Sequence, residues 1–401
     1  MSARASIAVL AFGLALSQPA IASDVGYIYG RVETVDGPTY EGELRWGTEE
    51  AFWGDIFNAT KIENENLGEV NGRQLERIRS HRWIGGDFFG LVNPDLTHVL
   101  AVRFGDLKRI RTRGGDHLIA EFRNGEEMSL GGGSNDVGAE ITVIDTKRGR
   151  QDIHWDRIRS IEFKDTPAHL ESKLGEPIYG AVKAGRYTFT GRIQWDNDET
   201  LSSDTLDGYT ANGKESIAFA DITEIRKQGT GSLVTLRSGR RVFMNRTNDV
   251  NHENRGIVVI VPNVGSVKVG WNDFDQVTLG HAPDSGPSYA DYAKAADLSG
   301  RVVTRNGHHD GRIVFDLDES WDFELLQGMN RNTEYLIPFR DIARIKRESF
   351  RQSLVQLRNG TTIELEDSQD VSRKNDGLLV YAGSSKPQYI EWRNVTEIEF
   401  R

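Results

Sequence analysis

Internal repetition constrains the fold of this chain more than any other feature of its sequence. The Gly-Ala-Val sequence at 180–182 recurs as Gly-Arg-Val at 300–302, an offset of 120 residues. The same offset relates Gly-Arg-Ile-Gln-Trp at 191–195 to Gly-Arg-Ile-Val-Phe at 311–315. A register that is kept over nearly a hundred residues predicts homologous units rather than chance similarity.

The N-terminal region contains the same landmarks. Gly-Glu-Leu-Arg-Trp at 42–46 corresponds to 191–195 at an offset of 149, because an insertion occupies about 60–101. We therefore predict three tandem repeat units, separated by linkers that contain proline. The predicted units are 23–166 (with the insertion), 177–281 and 297–401.

Most of each unit has the pattern of β-strands. Apolar and polar residues alternate along 233–239 and run into a Gly turn, which is typical of a hairpin. An aromatic-x-Asp-Ile-x-x-Ile pattern begins at Phe219, and a second closing pattern begins at Trp155, Trp271 and Trp392. We interpret each as a strand, a tight turn and a strand. Because this closure occurs twice per unit, we predict an all-β fold with two small related modules in each unit.

The opening of each unit carries a resemblance to a known family. In the third unit, Arg-Asn-Gly at 305–307 is followed by Gly-Arg-Ile-Val-Phe-Asp at 311–316 and Phe-Arg-Asp-Ile-Ala-Arg-Ile at 339–345. This order resembles the Asn-Gly turn, glycine-led strand, acidic turn and short closing strands of the Sm-like five-stranded barrels. The resemblance covers about 45 residues per unit and implies small barrel modules. It transfers no residue role, although members of that family inside cells often bind RNA.

Residues 1–22 have the organisation of a secretory signal peptide. Arg4 precedes a ten-residue apolar stretch at 7–16, and Ala-Ile-Ala at 20–22 forms a small-x-small cleavage site. A membrane anchor, the alternative, needs about 20 apolar residues, and Ser-Gln-Pro at 17–19 ends this stretch too early. We expect a periplasmic or secreted protein with no membrane span.

Charge and composition exclude several classes. The net charge is −11, with no basic half, which argues against a nucleic-acid partner. The absence of cysteine excludes disulfides, thiolate metal sites and a cysteine nucleophile. The sequence has no HExxH, GxSxG, GxGxxG or P-loop motif. An enzyme that uses paired carboxylates would carry no such signature.

An acidic stretch follows the second predicted strand of each unit and aligns without gaps. It includes Glu49-Glu50 and Asp55 in the first unit, and related acidic residues in the other two. Calcium prefers such oxygen ligands, whereas the structural interpretation is a solubilising turn that protects a hairpin edge. The candidate metal ligands are Asp196, Asp198, Glu199, Asp316, Asp318 and Glu319.

A second short motif recurs at one place in each unit. Asn-Asp-Val occurs at 135–137 and 248–250, and Gln-Asp-Val at 369–371, each shortly before a glycine and a strand. Asn and Asp side chains cap turns by bonding to nearby backbone groups. We interpret the motif as a turn cap, with a ligand site at three equivalent loops as the alternative.

The insertion at 60–101 occurs once and holds basic and aromatic residues in an acidic protein. Exposed aromatic residues near arginine favour a binding surface, whereas the alternative is that the rings close the core over the insertion. Because the two shorter units lack it, we expect the protein to fold without it. The candidate binding residues are Arg79, Arg82, Trp83, Phe88, Phe89 and, just upstream, Trp53.

These observations support two functional hypotheses. The first is an exported, non-catalytic binding or assembly module for an envelope protein or glycan, with no cofactor. The second is a calcium-assisted polysaccharide hydrolase that uses paired carboxylates. The sequence leaves the oligomeric state open.

Overall fold

The chain folds almost entirely into antiparallel β-structure. The computed structural model describes residues 23–84 (backbone alone for 79–84), 99–132, 136–292, 294–383 and 386–401. This described part contains 30 strands and one α-helix, so the predicted all-β class is confirmed. No helix in it is long and apolar enough to cross a membrane.

The strands fall into three segments of ten. In the first segment they are β1 (Tyr29–Thr34), β2 (Thr39–Trp46), β3 (Ile56–Lys61), β4 (Val99–Arg103), β5 (Leu107–Thr112), β6 (His117–Phe122), β7 (Glu127–Gly131), β8 (Ile141–Asp145), β9 (Gly149–Ile153) and β10 (Ile158–Phe163). The helix α1 (Gly72–Ile84) lies between β3 and β4.

The second and third segments follow in the same manner. The second contains β11 (Tyr179–Ala184), β12 (Tyr187–Trp195), β13 (Thr205–Thr210), β14 (Gly213–Ala218), β15 (Ile222–Gln228), β16 (Gly231–Leu236), β17 (Arg241–Asn245), β18 (Ile257–Val261), β19 (Gly265–Val269) and β20 (Phe274–Gly280). The third contains β21 (Ser299–Thr304), β22 (Gly307–Val314), β23 (Leu325–Asn330), β24 (Thr333–Pro338), β25 (Ile342–Arg347), β26 (Gln352–Leu357), β27 (Thr362–Glu366), β28 (Leu378–Tyr381), β29 (Gln388–Ile390) and β30 (Val395–Phe400).

The three segments share one pattern of strand pairing. In the first, the sheet order is β4-β3-β7-β6-β5-β10-β1-β2-β8-β9, which requires nine antiparallel pairings. The nine equivalent pairings occur among the strands β11–β20 of the second segment and among the strands β21–β30 of the third. Each segment therefore contains two adjacent groups of five strands, and the group equivalent to β3–β7 is inserted between β2 and β8.

This grouping differs from the module suggested by the Sm-like resemblance. The stretch at 305–345 that carries the resemblance is divided between the two groups of the third segment. Strands β21 and β22 pair with β30 and β28, whereas β25 pairs with β26 and β30. The reason is that the strand which closes the sheet, β30, comes from the far end of the unit.

Local sequence explains the strands and their bends. Along β6, Leu118, Ala120 and Phe122 are buried while the intervening residues are not, which is the period-two pattern of a strand with one face on the core. Gly42 and its counterpart Gly191 lie where two strands cross closely. A Cβ atom there would lie 1.8 Å and 2.0 Å from a carbonyl oxygen of the facing strand, so only glycine fits.

Each segment has its own apolar core, and the segments also contact one another. The core of the first segment includes Tyr289 and Tyr292 of the following linker and Phe323 of the third segment. Between the second and third segments, β19 pairs with β24 and makes their sheets continuous.

Candidate functional site

The three acidic turns have the same internal geometry. In the first, the backbone N–H of Trp46 donates to the carbonyl oxygen of Glu50 at 2.8 Å. In the other two turns the equivalent bonds are 2.7 Å long and join Trp195 to Glu199 and Phe315 to Glu319. The residues after these aromatics, Gly47, Asp196 and Asp316, have φ values of 57°, 52° and 50°. Gly and Asp tolerate this left-handed conformation better than most residues do.

A carboxylate further along closes each turn. The Asp55 carboxylate accepts hydrogen bonds from the backbone N–H groups of Ala51 and Phe52 at 2.9 and 2.8 Å. Asp204 and Glu324 make the same pair of bonds in the second and third turns. These charge-assisted bonds give one set of aligned acidic residues a structural role.

The first and second turns also join their segments through reciprocal ion pairs. Arg192 on β12 lies 2.9 Å from the Asp55 carboxylate. In the opposite direction, Arg45 on β2 donates to both oxygens of Asp204 at 2.8 and 2.7 Å. None of the four side chains is more than 14% exposed, so each carboxylate depends on the cation of the other segment for its charge balance.

Two predicted metal ligands of the second turn are already bound to a cation. Asp196 is fully buried and accepts a hydrogen bond from the backbone N–H of Arg255 at 2.5 Å. The guanidinium of Arg255 also binds the carboxylates of Asp196 and Asp198, and Asn248 donates to Asp196. Arg255 therefore supplies the positive charge that a metal ion would otherwise bring.

The third turn has a different cation. Lys61 Nζ on β3 lies 2.9 Å from Asp318 and 2.6 Å from Glu324. Asp316 accepts hydrogen bonds from Gln369 Nε2 at 2.7 Å and from the backbone N–H of Asp376. The predicted ligands Asp316 and Asp318 thus make contacts with the loop between β27 and β28 and with the first segment.

The glutamate of each turn lies close to the aspartate of the recurring Asp-Val motif. Burial and the neighbouring Asp249 raise the pKa of Glu199 to about 9, and burial raises the pKa of Asp249 to about 6. The same arrangement recurs in the other segments at Glu50 with Asp136 and at Glu319 with Asp370. Burial and the facing carboxylate raise the pKa of Glu50 and of Glu319. A raised pKa weakens a carboxyl group as a cation ligand, because a ligating carboxylate must be deprotonated.

Within the described ranges, one group of three acids has oxygens close enough to share a metal ion. The oxygens of Glu49, Glu50 and Asp136 lie within 4.8 Å of one another. Burial raises the pKa of Asp136 to about 7. The ligands predicted from the sequence belong to the second and third turns, so this first-turn group is not among them. The signals for it were the aligned Glu49-Glu50 pair and the Asp-Val motif.

The predicted binding residues have different locations. Trp53, expected near an exposed surface, has no exposed area: its indole N–H donates to Thr166 Oγ1 at 3.0 Å, and its ring stacks on Tyr289. The ring belongs to the core because the linker after the second segment packs over it. Arg79, Arg82 and Trp83 lie on α1, where the structure describes only the backbone. Phe88 and Phe89 lie outside the described residues.

The insertion is anchored to the third segment. Val70 and Ile78 are buried against an apolar surface of β22 and β28. Arg77, on the outer side of α1, lies 3.0 Å from Glu391 next to β29. The insertion thus connects the first segment to the third. This contact alters the expectation that the protein folds without residues 60–101, because their removal would uncover that apolar surface.

Comparisons with known proteins provide no relative from which a role could be transferred. No family model, no curated protein and no solved structure matches the chain.

Proposed function

We propose that this chain is an exported, non-catalytic module of three tandem β repeats that binds or assembles with an envelope protein or glycan. One observation carries the proposal. The repeated acidic residues, which are the best candidates for catalysis or metal binding, are engaged inside the fold, where they close turns and bind cations of other segments.

The common pairing pattern supports the tandem-repeat part of the proposal. Nine equivalent pairings occur in each segment, and equivalent glycines lie at equivalent close crossings. The division of each segment into two groups of five strands supports two small barrel-like modules per repeat. A scaffold of this kind has many similar edges and turns. The insertion is the part of the chain that is not repeated.

The insertion is the proposed binding face for the envelope partner. Its helix is held against the third segment by Val70 and Ile78, while Arg73 and Arg77 are exposed. A helix that already packs against the fold and carries exposed arginines can bind a partner at a lower ordering cost than an unfolded segment. Arg82 and Trp83 on the same helix are of residue types that often dominate interfaces.

The alternative, a calcium-assisted hydrolase, draws on the Glu49, Glu50 and Asp136 group. A glycosidase needs two accessible carboxylates that face a bound sugar from either side. Glu50 and Asp136 are only 4% and 2% exposed, which leaves a polysaccharide no access to them. The same carboxyl pair also recurs in the other two segments, so it belongs to the repeat unit and its stability.

The test uses the mature protein, residues 23–401, as bait in an envelope extract. The variant Arg82→Glu with Trp83→Ala should reduce capture of the main partner about tenfold or more, because two residues of an interface centre are lost. The matched control is Arg186→Glu with Tyr187→Ala, which removes a neighbouring arginine–aromatic pair in the second segment. Equal capture by both variants would place the binding face elsewhere. Calcium-dependent release of sugar from envelope polysaccharide, lost in Glu50→Gln, would establish the hydrolase instead.

A further inference from the structure

The pairing of β19 with β24 shows how a hairpin of one segment pairs with an edge strand of another. The β18–β19 hairpin of the second segment adds to the edge of the third, with Lys268 opposite Glu334 and Val267 opposite Tyr335. At the tip of this hairpin, Asn359 Nδ2 donates to the carbonyl oxygen of Asn263 at 2.9 Å. The edge strand β24 is therefore covered by a hairpin and not by solvent.

The equivalent edge of the second segment is β14, and in the described part of the chain its residues pair in register with β13 alone. Lys214 and Ser216 on β14 are exposed, whereas their counterparts Glu334 and Leu336 on β24 are half-buried. Beside β14 lies an open groove of about 450 Å³, lined in part by Ile217, Leu236 and Ser238. Ser238 aligns with Asn359, the residue that holds the hairpin tip in the third segment.

The hairpin that would fit such an edge is also present. The β8–β9 hairpin of the first segment matches β18–β19 in its pairing and in its three-residue loop. Among the described strands, only β8 pairs with β9, and Arg150 and Asp152 on β9 are exposed. The third counterpart, β29, lies next to α1, with Arg77 bound to Glu391. Among the described strands, one hairpin of this type and two edges, β14 and β4, thus lack a pairing strand, and β4 has the uncharged Val99 where β14 has Lys214.

The charges of the two strands are complementary in the register seen between β19 and β24. When the β8–β9 hairpin is aligned with β18–β19, Asp152 takes the position of Lys268. When β14 is aligned with β24, Lys214 takes the position of Glu334, which lies opposite Lys268. Asp152 would therefore lie opposite Lys214. The hairpin would carry the negative charge and the edge strand the positive one, the reverse of the Lys268–Glu334 pair. Opposite charges directly across two strands stabilise their pairing, whereas like charges oppose it.

We infer that β14 accepts the β8–β9 hairpin of a second copy of this chain as an additional antiparallel strand. Main-chain hydrogen bonds supply the affinity of such strand addition, and the side chains set its register. The contact joins different surfaces of the two copies, so it is heterologous and produces a closed ring or a linear array. It is separate from the envelope contact proposed above, so either contact can fail alone.

The first test measures self-association of the mature protein by sedimentation velocity over a range of concentrations. Lys214→Glu and Asp152→Lys each place like charges opposite one another, and each should raise the dissociation constant about two- to fivefold. The double variant exchanges the charges and should restore the wild-type value. A wild-type protein that stays monomeric up to about 100 µM, a dissociation constant in the range of weak contacts, would overturn the inference. A dissociation constant that is the same in the wild type and all three variants would also overturn it.

A second test does not depend on the strength of association. Because the chain has no cysteine, Gln151→Cys with Glu215→Cys introduces the only two thiols, at positions that the proposed register brings opposite each other. Oxidation should produce disulfide-linked oligomers, whereas the out-of-register pair Gln151→Cys with Gly213→Cys should not. A disulfide within single chains would show that the hairpin reaches its own β14, and equal linking by both pairs would show unspecific collision. Either result overturns the inference.

Discussion

Lys61 Nζ and Glu324 Oε1 lie 2.6 Å apart, although 263 residues separate them in the sequence. Neither side chain is more than 5% exposed, so the ion pair is shielded from solvent. The second oxygen of Glu324 closes the third acidic turn, and the same lysine also binds Asp318. One buried cation thus holds the first segment against the third and neutralises an acidic turn.

Replacement of this lysine tests how much that contact contributes. Lys61→Met should lower the free energy of unfolding by about 3–5 kcal/mol, because it leaves buried carboxylates without their cation. The measurement is urea unfolding at pH 7. Lys108→Met is the control, since Lys108 is half-exposed and its pair with Glu121 is a surface pair worth at most about 1 kcal/mol. An equal loss in both variants would contradict a special role for Lys61.

Buried carboxyl groups predict that the protein is more stable in mild acid than in mild alkali. Burial raises the pKa of Glu43 to about 8, and burial together with Asp249 raises the pKa of Glu199 to about 9. These groups bind protons more tightly in the folded chain than in the unfolded chain. The free energy of unfolding therefore decreases as the pH rises from the unfolded pKa, about 4.5, towards the folded values. The melting temperature at pH 5.5 should exceed that at pH 8.

A single substitution isolates the contribution of one group. Glu43→Gln should raise the free energy of unfolding at pH 8 by about 1–3 kcal/mol and have little effect near pH 4.5, because the amide stays neutral at both. Glu121→Gln is the control: Lys108 lowers the pKa of Glu121, so its stabilising charge is lost only below its ordinary range. A stability that rises steadily from pH 5.5 to pH 8 would contradict the assignment.

The sequence predicted the β class of the fold because the signals for strands and turns are local. Gly42 and Gly191 mark close strand crossings, and the aromatic-x-Asp-Ile pattern marks the short turn at Phe219–Asp221 that precedes β15. The contacts between segments could not be predicted in this way. Arg45 and Asp204 lie 159 residues apart, and their positions in the repeat are not equivalent, so no alignment relates them.

In the candidate site, too, the local features could be predicted from the sequence and the contacts between distant residues could not. The aligned acidic turns were visible in the sequence, yet their partners Arg255 and Lys61 come from other positions of the fold. A count of carboxylates cannot distinguish a calcium site from a neutralised turn, because the answer depends on which cation the fold brings close. Trp53 shows a similar effect, since its burial depends on Tyr289 in a distant linker.

Calcium removal tests the structural interpretation of the acidic turns. We expect EDTA to change the melting temperature of residues 23–401 by less than about 2 °C, because Arg255 and Lys61 already neutralise the second and third turns and burial raises the pKa of Glu50 in the first turn. Differential scanning calorimetry with EDTA and with excess calcium measures this. A decrease of more than about 10 °C, on the order of 2 kcal/mol or more, would identify a structural calcium site.

The insertion should divide into a part that stabilises the fold and a part that does not. Replacement of residues 60–101 by a short link like the Gly-Lys-Glu-Ser sequence at 213–216 removes Lys61, Val70, Ile78 and Leu100, all of them buried. We expect the free energy of unfolding to fall by about 5 kcal/mol or more, since buried apolar contacts and an ion pair are lost together. Replacement of 86–97 alone by a Gly-Ser linker of the same length keeps all four buried residues and should therefore lower the free energy of unfolding by less. Equal stability of the two variants would mean that the contact of α1 with the third segment contributes little, and the insertion would then act on binding alone.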